Sequence, residues 1–448
     1  MGAARIFSRG TAPLPLAASG TGAWIVDAEG RRYLDAAGGA IVVGIGHGRA
    51  RVADAAAAQM RRIAYAHGSA FGSGVLDAWA SELGPLLPLE DPFLYPVSGG
   101  SEAAETALKM VRAHWLAKGE PERTLVVSRW GSYHGNTLGA LDLSGRRSLR
   151  APYEPWLGRF EHLSAAYPYR AGDPAAHAIG SGAAAVAELD ALLARVGDGK
   201  IAAFVAEPIV GATLGAVVPP DDYWPAVARW CAAHGVLLVA DEVMTGFGRT
   251  GRWFASEGFG LRPDLLLAAK GATSGYWPFG FVAASRPVAE TMLAGGFVHG
   301  FTYSHSIPGA AVAREVLAIL REENLVTASE ERGAALRAAL DEALVDEPWV
   351  GEIRGRGLLL GIELVADRST KAPHPRERRV VEQVVAAAKR RGETGLLLYS
   401  GSGQANGSDG DVVVLGPPFV VDRPDIEQIA VGVAAAIRAV RETTSARN

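Results

Sequence analysis

Lys270 closes the apolar stretch Pro263-Asp264-Leu265-Leu266-Leu267-Ala268-Ala269, and Asp241 lies upstream in the segment DEVMTGFGRTG. A lysine among apolar neighbours has its charged form disfavoured by desolvation, and a lysine with a lowered pKa is the nucleophilic amine that forms Schiff bases. Asp241 ends a second apolar run, Val236-Leu237-Leu238-Val239-Ala240, which puts its carboxylate at the C-terminal tip of a strand. A lysine after an apolar run also serves as a snorkelling surface residue. Composition weighs against that reading: the six lysines (Lys109, Lys118, Lys200, Lys270, Lys371, Lys389) stand against a large excess of arginine. A position that keeps lysine in such a chain reads as one that needs an amine.

Two further apolar runs end in groups able to do chemistry. Tyr133-His134-Gly135 follows Thr124-Leu125-Val126-Val127, and Glu207-Pro208 follows Ile201-Ala202-Ala203-Phe204-Val205. Four expected strand ends thus carry Tyr133, Glu207, Asp241 and Lys270, on the edge where open α/β sheets bind ligands. Ser98-Gly99-Gly100-Ser101-Glu102-Ala103 precedes the alanine-rich ALKMVRAHWLA. Glycines let the backbone approach an anion and first-turn N–H groups bind phosphate, although a serine-glycine turn before a helix is equally an N-cap. An amine to hold an aldehyde and a carboxylate to keep a pyridine nitrogen protonated are what pyridoxal 5′-phosphate requires.

The elements that position these groups alternate between about 95 and 300: short apolar runs, including Phe281-Val282-Ala283-Ala284, separated by helical stretches. That rhythm predicts an α/β fold, a large domain with a mostly parallel sheet covered by helices. After Pro308 the pattern predicts helices around 309–321 and 326–344, strands at 358–364 and 412–415, and a final helix from about Pro424. This reads as a smaller α+β domain over 309–448. The N-terminal segment 1–65, with a hairpin around Ala28-Glu29-Gly30 and a helix over 49–66, joins it, leaving 66–308 as the large domain. The run 400–410 has too little apolar content to pack and predicts a mobile surface loop.

With 448 residues, 49% hydrophobic, the chain has ample core for both domains. A net charge of −4 and no basic block point away from nucleic acid and anionic membrane, and toward a small neutral or anionic metabolite. No apolar run is long enough to span a membrane, and MGAARIFSRG lacks the apolar core of a secretory signal. The one cysteine, Cys231, fits a reducing compartment, so a cytoplasmic protein is expected, and with His234 it lacks the further ligands of a metal site.

From about Gly22 to Val440 the sequence resembles the class III pyridoxal-phosphate-dependent aminotransferases, a branch of the fold-type-I enzymes. DEVMTGFGRTG with PDLLLAAKG, SGGSEAAETALKMVR, SYHGNTLGAL, AEPIVG, HGFTYS, RGRGLLLGIEL and Pro417-Pro418-Phe419 carry the resemblance. It implies that Lys270 is the Schiff-base lysine and Asp241 the partner of the pyridine nitrogen. Val243 would lie beneath the ring and Tyr133 over it, with His134 beside them. Gly100 and Ser101 would hold the phosphate, Thr302 would reach it from a partner subunit of a homodimer, and Glu207 would bond near the ring hydroxyl. The implied reaction is ping-pong transfer of an amino group to a keto acid.

Two departures bear on substrate. Members that use glutamate often carry an arginine three residues before the late Pro-Pro pair, where this chain has Val414; pyruvate and an amine or ω-amino acid donor are therefore expected. Another arginine, such as Arg146, could serve instead. HGFTYS continues as His305-Ser306-Ile307-Pro308 rather than Gly-His-Pro. Ala40 and Ile41, small for the positions they occupy, and Phe71 of the partner are the expected substrate-pocket residues. Several alternatives stand beside this reading: an aminomutase or decarboxylase using the same cofactor, an aminotransferase using glutamate and 2-oxoglutarate, and a pyridoxal-phosphate-binding protein without turnover. A dinucleotide fold resting on Gly246-Phe247-Gly248-Arg249-Thr250-Gly251 is a further one, although Arg252-Trp253-Phe254 and Pro263 follow where a helix is required.

Overall fold

The computed structural model describes residues 6, 7 and 14–445. The apolar runs between 93 and 284 form one seven-stranded sheet. Its order is Phe93–Val97, Gly280–Ala284, Leu265–Ala268, Leu237–Asp241, Ile201–Ala206, Leu125–Arg129 and Glu161–Leu163. Neighbours are parallel except where Gly280–Ala284 runs antiparallel to both of its partners. The two outermost strands are absent from the sequence-based expectation. Both are edge strands with weak signatures: Phe93–Val97 contains Pro96, and Glu161–Leu163 is short with one apolar residue.

Side chains alternate across the sheet. Leu237 and Val239 pack with Met110, Val111 and Trp115 of helix Gly100–Ala117. Leu238 and Ala240 face the other way, onto Leu189 of helix Gly182–Val196 and Trp224 and Val227 of helix Tyr223–His234. Burial on both faces is why these strands read as unbroken apolar runs instead of alternating ones.

Beyond the large sheet, Val350–Arg356, Leu359–Leu364, Asp411–Leu415 and Tyr399–Ser402 make an antiparallel sheet in that order. Helices Leu325–Ala343, Val380–Arg390 and Arg423–Ser445 pack around it. The N-terminal strands Ala17–Thr21, Trp24–Asp27 and Arg32–Asp35 form a third sheet that Gly395–Leu397 completes, parallel to Arg32–Asp35. Helix Ala50–Arg62 stops short of Ala66 because Ile63 is extended (φ −163°, ψ 125°). Among the described residues no helix is long and apolar enough to cross a membrane.

The segment 400–410 is a correction to the sequence reading. Tyr399–Ser402 is a strand, and Gln404 and Ala405 are buried. Small residues let the segment pack rather than float: a Cβ at Gly401 would lie 2.5 Å from the Ala212 carbonyl, and one at Gly407 would lie 2.4 Å from Arg147 Cδ. Asn406 Oδ1 accepts from the Ser408 and Asp409 amides, and Asp409 Oδ1 accepts from the Arg376 amide. Polar self-satisfaction takes the place of apolar content.

One buried carboxylate joins the large sheet's surroundings to the C-terminal sheet. Glu363 accepts from Arg354 Nη1 at 2.5 Å, from Arg170 Nη2 at 2.6 Å and Nε at 2.8 Å, and from the Tyr167 hydroxyl. Arg354 also donates to the Leu214 and Gly215 carbonyls. Burial pushes the Glu363 carboxyl up, but the two guanidiniums outweigh it and hold it below its ordinary value. Its stabilisation is therefore present above the unfolded pKa and is lost as pH falls through the lower folded one. Glu363→Gln leaves the buried Arg170 guanidinium without its counter-charge and Arg354 with the Glu352 carboxylate alone, a loss of about 3–5 kcal/mol. The thermal unfolding midpoint at pH 7 is expected to drop well below that of the native protein, and the gap to narrow as pH falls below the ordinary carboxylate range and through the lower folded value. Equal midpoints at pH 7 would show that this junction is not under electrostatic tension.

Candidate active site

Parallel register brings the strand ends together. Asp241 pairs with Leu267, so the chain leaving the next strand reaches Lys270 three residues further on. On the other side Ala240 pairs with Ala206, which puts Glu207 level with Asp241. These residues line one cavity of about 650 Å³ together with Gly100, Ser101, Tyr133, His134, Val243 and Ala40.

Asp241 is buried and held at both oxygens. Oδ1 accepts the Val243 amide at 3.0 Å, and Oδ2 lies 2.7 Å from His134 Nδ1. His134 Nε2 is in turn 3.2 Å from Ser128 Oγ. With Nδ1 donating to the carboxylate, Nε2 is left to accept from the serine hydroxyl, so Ser128 and His134 fix the direction in which Asp241 points.

Lys270 occupies a left-handed backbone conformation, φ 34°, where a side chain is ordinarily disfavoured. Such strain is retained where the surroundings impose it, commonly at functional sites. Burial pulls its amine down to about 8, against the opposing effect of the Asp241 and Glu207 carboxylates. Roughly a tenth of it is therefore uncharged at pH 7, far more than of an ordinary lysine. Glu207 is buried, and burial raises its carboxyl with the Asp241 charge adding to the rise.

The wall opposite is built by close approach. A Cβ on Gly135 (φ 139°) would sit 2.5 Å from Ser101 Oγ, so glycine is needed for the 133–136 turn to reach the start of helix Gly100–Ala117. There the Asn136 amide donates to Ser101 Oγ at 3.0 Å. A Cβ on Gly100 would press the Val243 methyls at 3.1 Å.

These residues fit a phosphorylated pyridine aldehyde. The start of an eighteen-residue helix presents backbone N–H groups at the cavity, suited to a phosphate. Glu207 Oε2 is buried without a hydrogen-bond partner, as expected of a group awaiting a ligand hydroxyl. Amine, carboxylate and phosphate cradle share a single cavity.

Other expected site residues lie elsewhere. Thr302 and Phe71 are exposed and do not line the cavity of their own chain. Ile41 and Val414 are buried in an apolar cluster with Ile209, Leu359 and Val412, so neither faces the cavity. Tyr399, paired with Val414 across the sheet, packs on that cluster and takes the cavity wall, as does Met244. Val42, Leu149 and Trp277 are lining residues that sequence reasoning missed. No motif marks them, because they arrive from separate loops. Arg146, named from sequence only as a substitute arginine, also lines the cavity.

The glycine-rich Gly246–Gly251 segment is a run of turns followed only by the five-residue 3-10 helix Ala255–Phe259, not by an α-helix that the glycines open, which removes the dinucleotide alternative. It positions Arg249, whose buried guanidinium donates to the carbonyls of Val43, Leu358 and Pro417 and lies 4.6 Å from the Phe419 ring centre. Burial pulls this guanidinium down to about 9. The loop thereby staples residues beside Ala40 to the Pro417-Pro418-Phe419 turn.

A family model described as aminotransferase class-III matches residues 6–437. The chain is 38% identical over 417 residues to an uncharacterized aminotransferase, YodT, of Bacillus subtilis, covering 93% of each chain. It is 36% identical to the putrescine–pyruvate aminotransferase of Pseudomonas aeruginosa, covering 91% of this chain and 87% of that one. Among solved structures it is similar to a thermostable (S)-enantioselective omega-transaminase from Thermomicrobium roseum, with a TM-score of 0.89 and 38% identity over 98% of this chain and 96% of that one. The α/β architecture is accordingly fold type I, and enzymes of this class use pyridoxal 5′-phosphate. The protein belongs to the class III aminotransferases, and pyridoxal 5′-phosphate is the cofactor its cavity serves.

Proposed function

We propose that this aminotransferase moves an amino group from an amine or ω-amino acid to a keto acid, with pyruvate favoured, by a ping-pong mechanism in which Lys270 is the Schiff-base lysine. The observation that carries the reading is the Lys270 amine, lowered to about 8 and sharing a cavity with Asp241. Pyridoxal phosphate, when bound, supplies an electrophilic aldehyde and a ring that withdraws electrons. Lys270 Nζ, in its uncharged form, would act as the base that takes the proton from the donor's amine-bearing carbon. Asp241, braced by His134 and Ser128, holds a positive N–H at the ring nitrogen. Gly100 and Ser101 hold the phosphate and Glu207 Oε2 the ring hydroxyl, while Val243 and Tyr133 confine the ring from its two faces.

A homodimer with shared sites is part of the same reading. Residues 63–72 and the loop 296–306 form an exposed apolar surface: Phe71 is 70% exposed and Tyr303 71%, and Tyr65 packs edge-on to Tyr303 with ring centres 6.4 Å apart. Surface of that kind marks protein–protein contact, and it carries both Phe71 and Thr302. The pairing of Arg32–Asp35 with Gly395–Leu397 supports the division of the chain into 66–308 and a smaller domain of 309–448 joined by 1–65. One buried cysteine supports a cytoplasmic setting.

The pyruvate preference rests on Val414, which brings no charge to the substrate, and on the named substrate of the Pseudomonas relative. A five-carbon keto acid has a second carboxylate, and a charged hydrogen bond it fails to find is worth about 1.5–3 kcal/mol.

Four outcomes test this reading. Borohydride should fix the cofactor to the Lys270 peptide, and Lys270→Ala should abolish both that adduct and amino transfer. In the apoprotein, the rate at which an amine reagent labels Lys270 should rise with a midpoint near pH 8, the amine being protonated below it. Cofactor attached to another lysine sinks the assignment. In a panel of amines and ω-amino acids, pyruvate should surpass 2-oxoglutarate as acceptor by about tenfold; the reverse order would show that Val414 does not set acceptor choice. Sedimentation should give a dimer, and Tyr303→Asp should weaken dimer formation and cofactor affinity together. A fully active monomer refutes the shared site.

A further inference from the structure

The substrate carboxylate needs a cation, and Val414 does not provide one. We infer that Arg146 is the carboxylate-binding residue of this active site, taking the carboxylate of the keto acid acceptor and of the amino acid made from it. The inference rests on the aminotransferase reading above and adds a residue to it.

Arg146 sits in the turn Gly145-Arg146-Arg147, immediately before the short helix Arg147–Arg150, in an extended conformation (φ −79°, ψ 100°). It lines the same cavity as Lys270 and Asp241, beside Tyr399 and Leu149. Its Nε is buried with no hydrogen-bond partner. Among the described residues, no carboxylate is within ion-pairing distance of it. Burial lowers its guanidinium, and the titratable groups nearest it are the Tyr399 and Tyr133 phenols and the like-charged Arg376. A half-buried guanidinium without an anion is costly, and a ligand carboxylate would supply both the charge and the bidentate acceptor that it lacks.

The neighbouring arginines are committed elsewhere. Arg150 binds the Asp142 carboxylate and three carbonyls, and Arg147 stacks on the Trp130 ring at 4.1 Å. Arg249 is spent on backbone carbonyls. Arg129 also has unpartnered nitrogens, but its Nη2 donates to the Glu207 carbonyl and it does not line the cavity. The cavity therefore offers its anion one guanidinium from the described chain. One guanidinium matches a monocarboxylate keto acid, which deepens the expected preference for pyruvate by giving its single carboxylate a partner.

The test uses holoenzyme and an inert probe. Propionate, which carries the carboxylate but no reacting carbonyl, is titrated against the native protein, Arg146→Met and Arg146→Lys, with propionamide as the neutral control and the cofactor's visible absorbance as readout. The native protein should bind propionate over propionamide. Arg146→Met should weaken propionate at least tenfold, and Arg146→Lys, which keeps the charge but not the planar fork, should fall between. In turnover, kcat/KM for pyruvate should drop at least tenfold more than that for an amine lacking a carboxylate. Should Arg146→Met not fold, Arg146→Lys alone carries the comparison. Native affinity for propionate in either variant overturns the inference. The titration needs no turnover, so an Arg146-dependent affinity in a protein that fails to transfer amino groups would sink the functional reading and leave the carboxylate site standing.

Discussion

Desolvation of one amine is the constraint on which the site depends. Lys270 follows a strand buried on both faces, and burial destabilises its ammonium form more than the Asp241 and Glu207 carboxylates restore it. The balance requires those carboxylates to be near without neutralising the effect. Asp241 meets that condition because its oxygens are already occupied by the Val243 amide and His134. Were Asp241 free to swing onto Lys270, an ion pair would hold the amine protonated and unreactive. The Ser128–His134–Asp241 chain fixes the direction of the carboxylate, and under the proposed function it would both aim it at the ring nitrogen's place and keep it from quenching the nucleophile.

The same logic runs through the backbone. Parallel strands deliver Glu207, Asp241 and Lys270 to one edge with no loop needing to reach for them, and the left-handed turn at Lys270 redirects the side chain at the point where the strand ends. Opposite, glycine at 135 and at 100 removes the Cβ atoms that would hold the 133–136 turn away from Ser101 and the start of helix Gly100–Ala117 away from Val243. A wall made by missing atoms has little tolerance for substitution, which concentrates the sequence signal there.

That concentration explains what was legible. Tyr133, Glu207, Asp241 and Lys270 each end an apolar run, and a buried parallel sheet writes such runs plainly; the structure brings all four to one cavity. The edge strands Phe93–Val97 and Glu161–Leu163 escaped because a proline and two polar residues interrupt their apolar content. The segment 400–410 was misread because its order comes from Asx hydrogen bonds and small residues in tight contact, neither of which apolar content measures. Phe71 and Thr302 are exposed and line no part of the cavity of their own chain.

Val414 and Arg146 show how far alignment of types can carry a substrate argument. Position 414 is expected at the pocket because members of the family that use glutamate often carry an arginine there. The valine packs with Ile41 and Val412, and Tyr399, directly across the sheet, covers it and forms the wall itself. Losing the long side chain therefore changes which residue the substrate meets as well as the charge it meets. The cation that remains enters from a different element, the turn before helix Arg147–Arg150, on the wall that also carries Leu149. A carboxylate held there approaches Lys270 from the side of Tyr133 and Arg146 rather than through position 414, so the orientation of the acceptor follows from where the guanidinium is anchored, not merely from whether one is present.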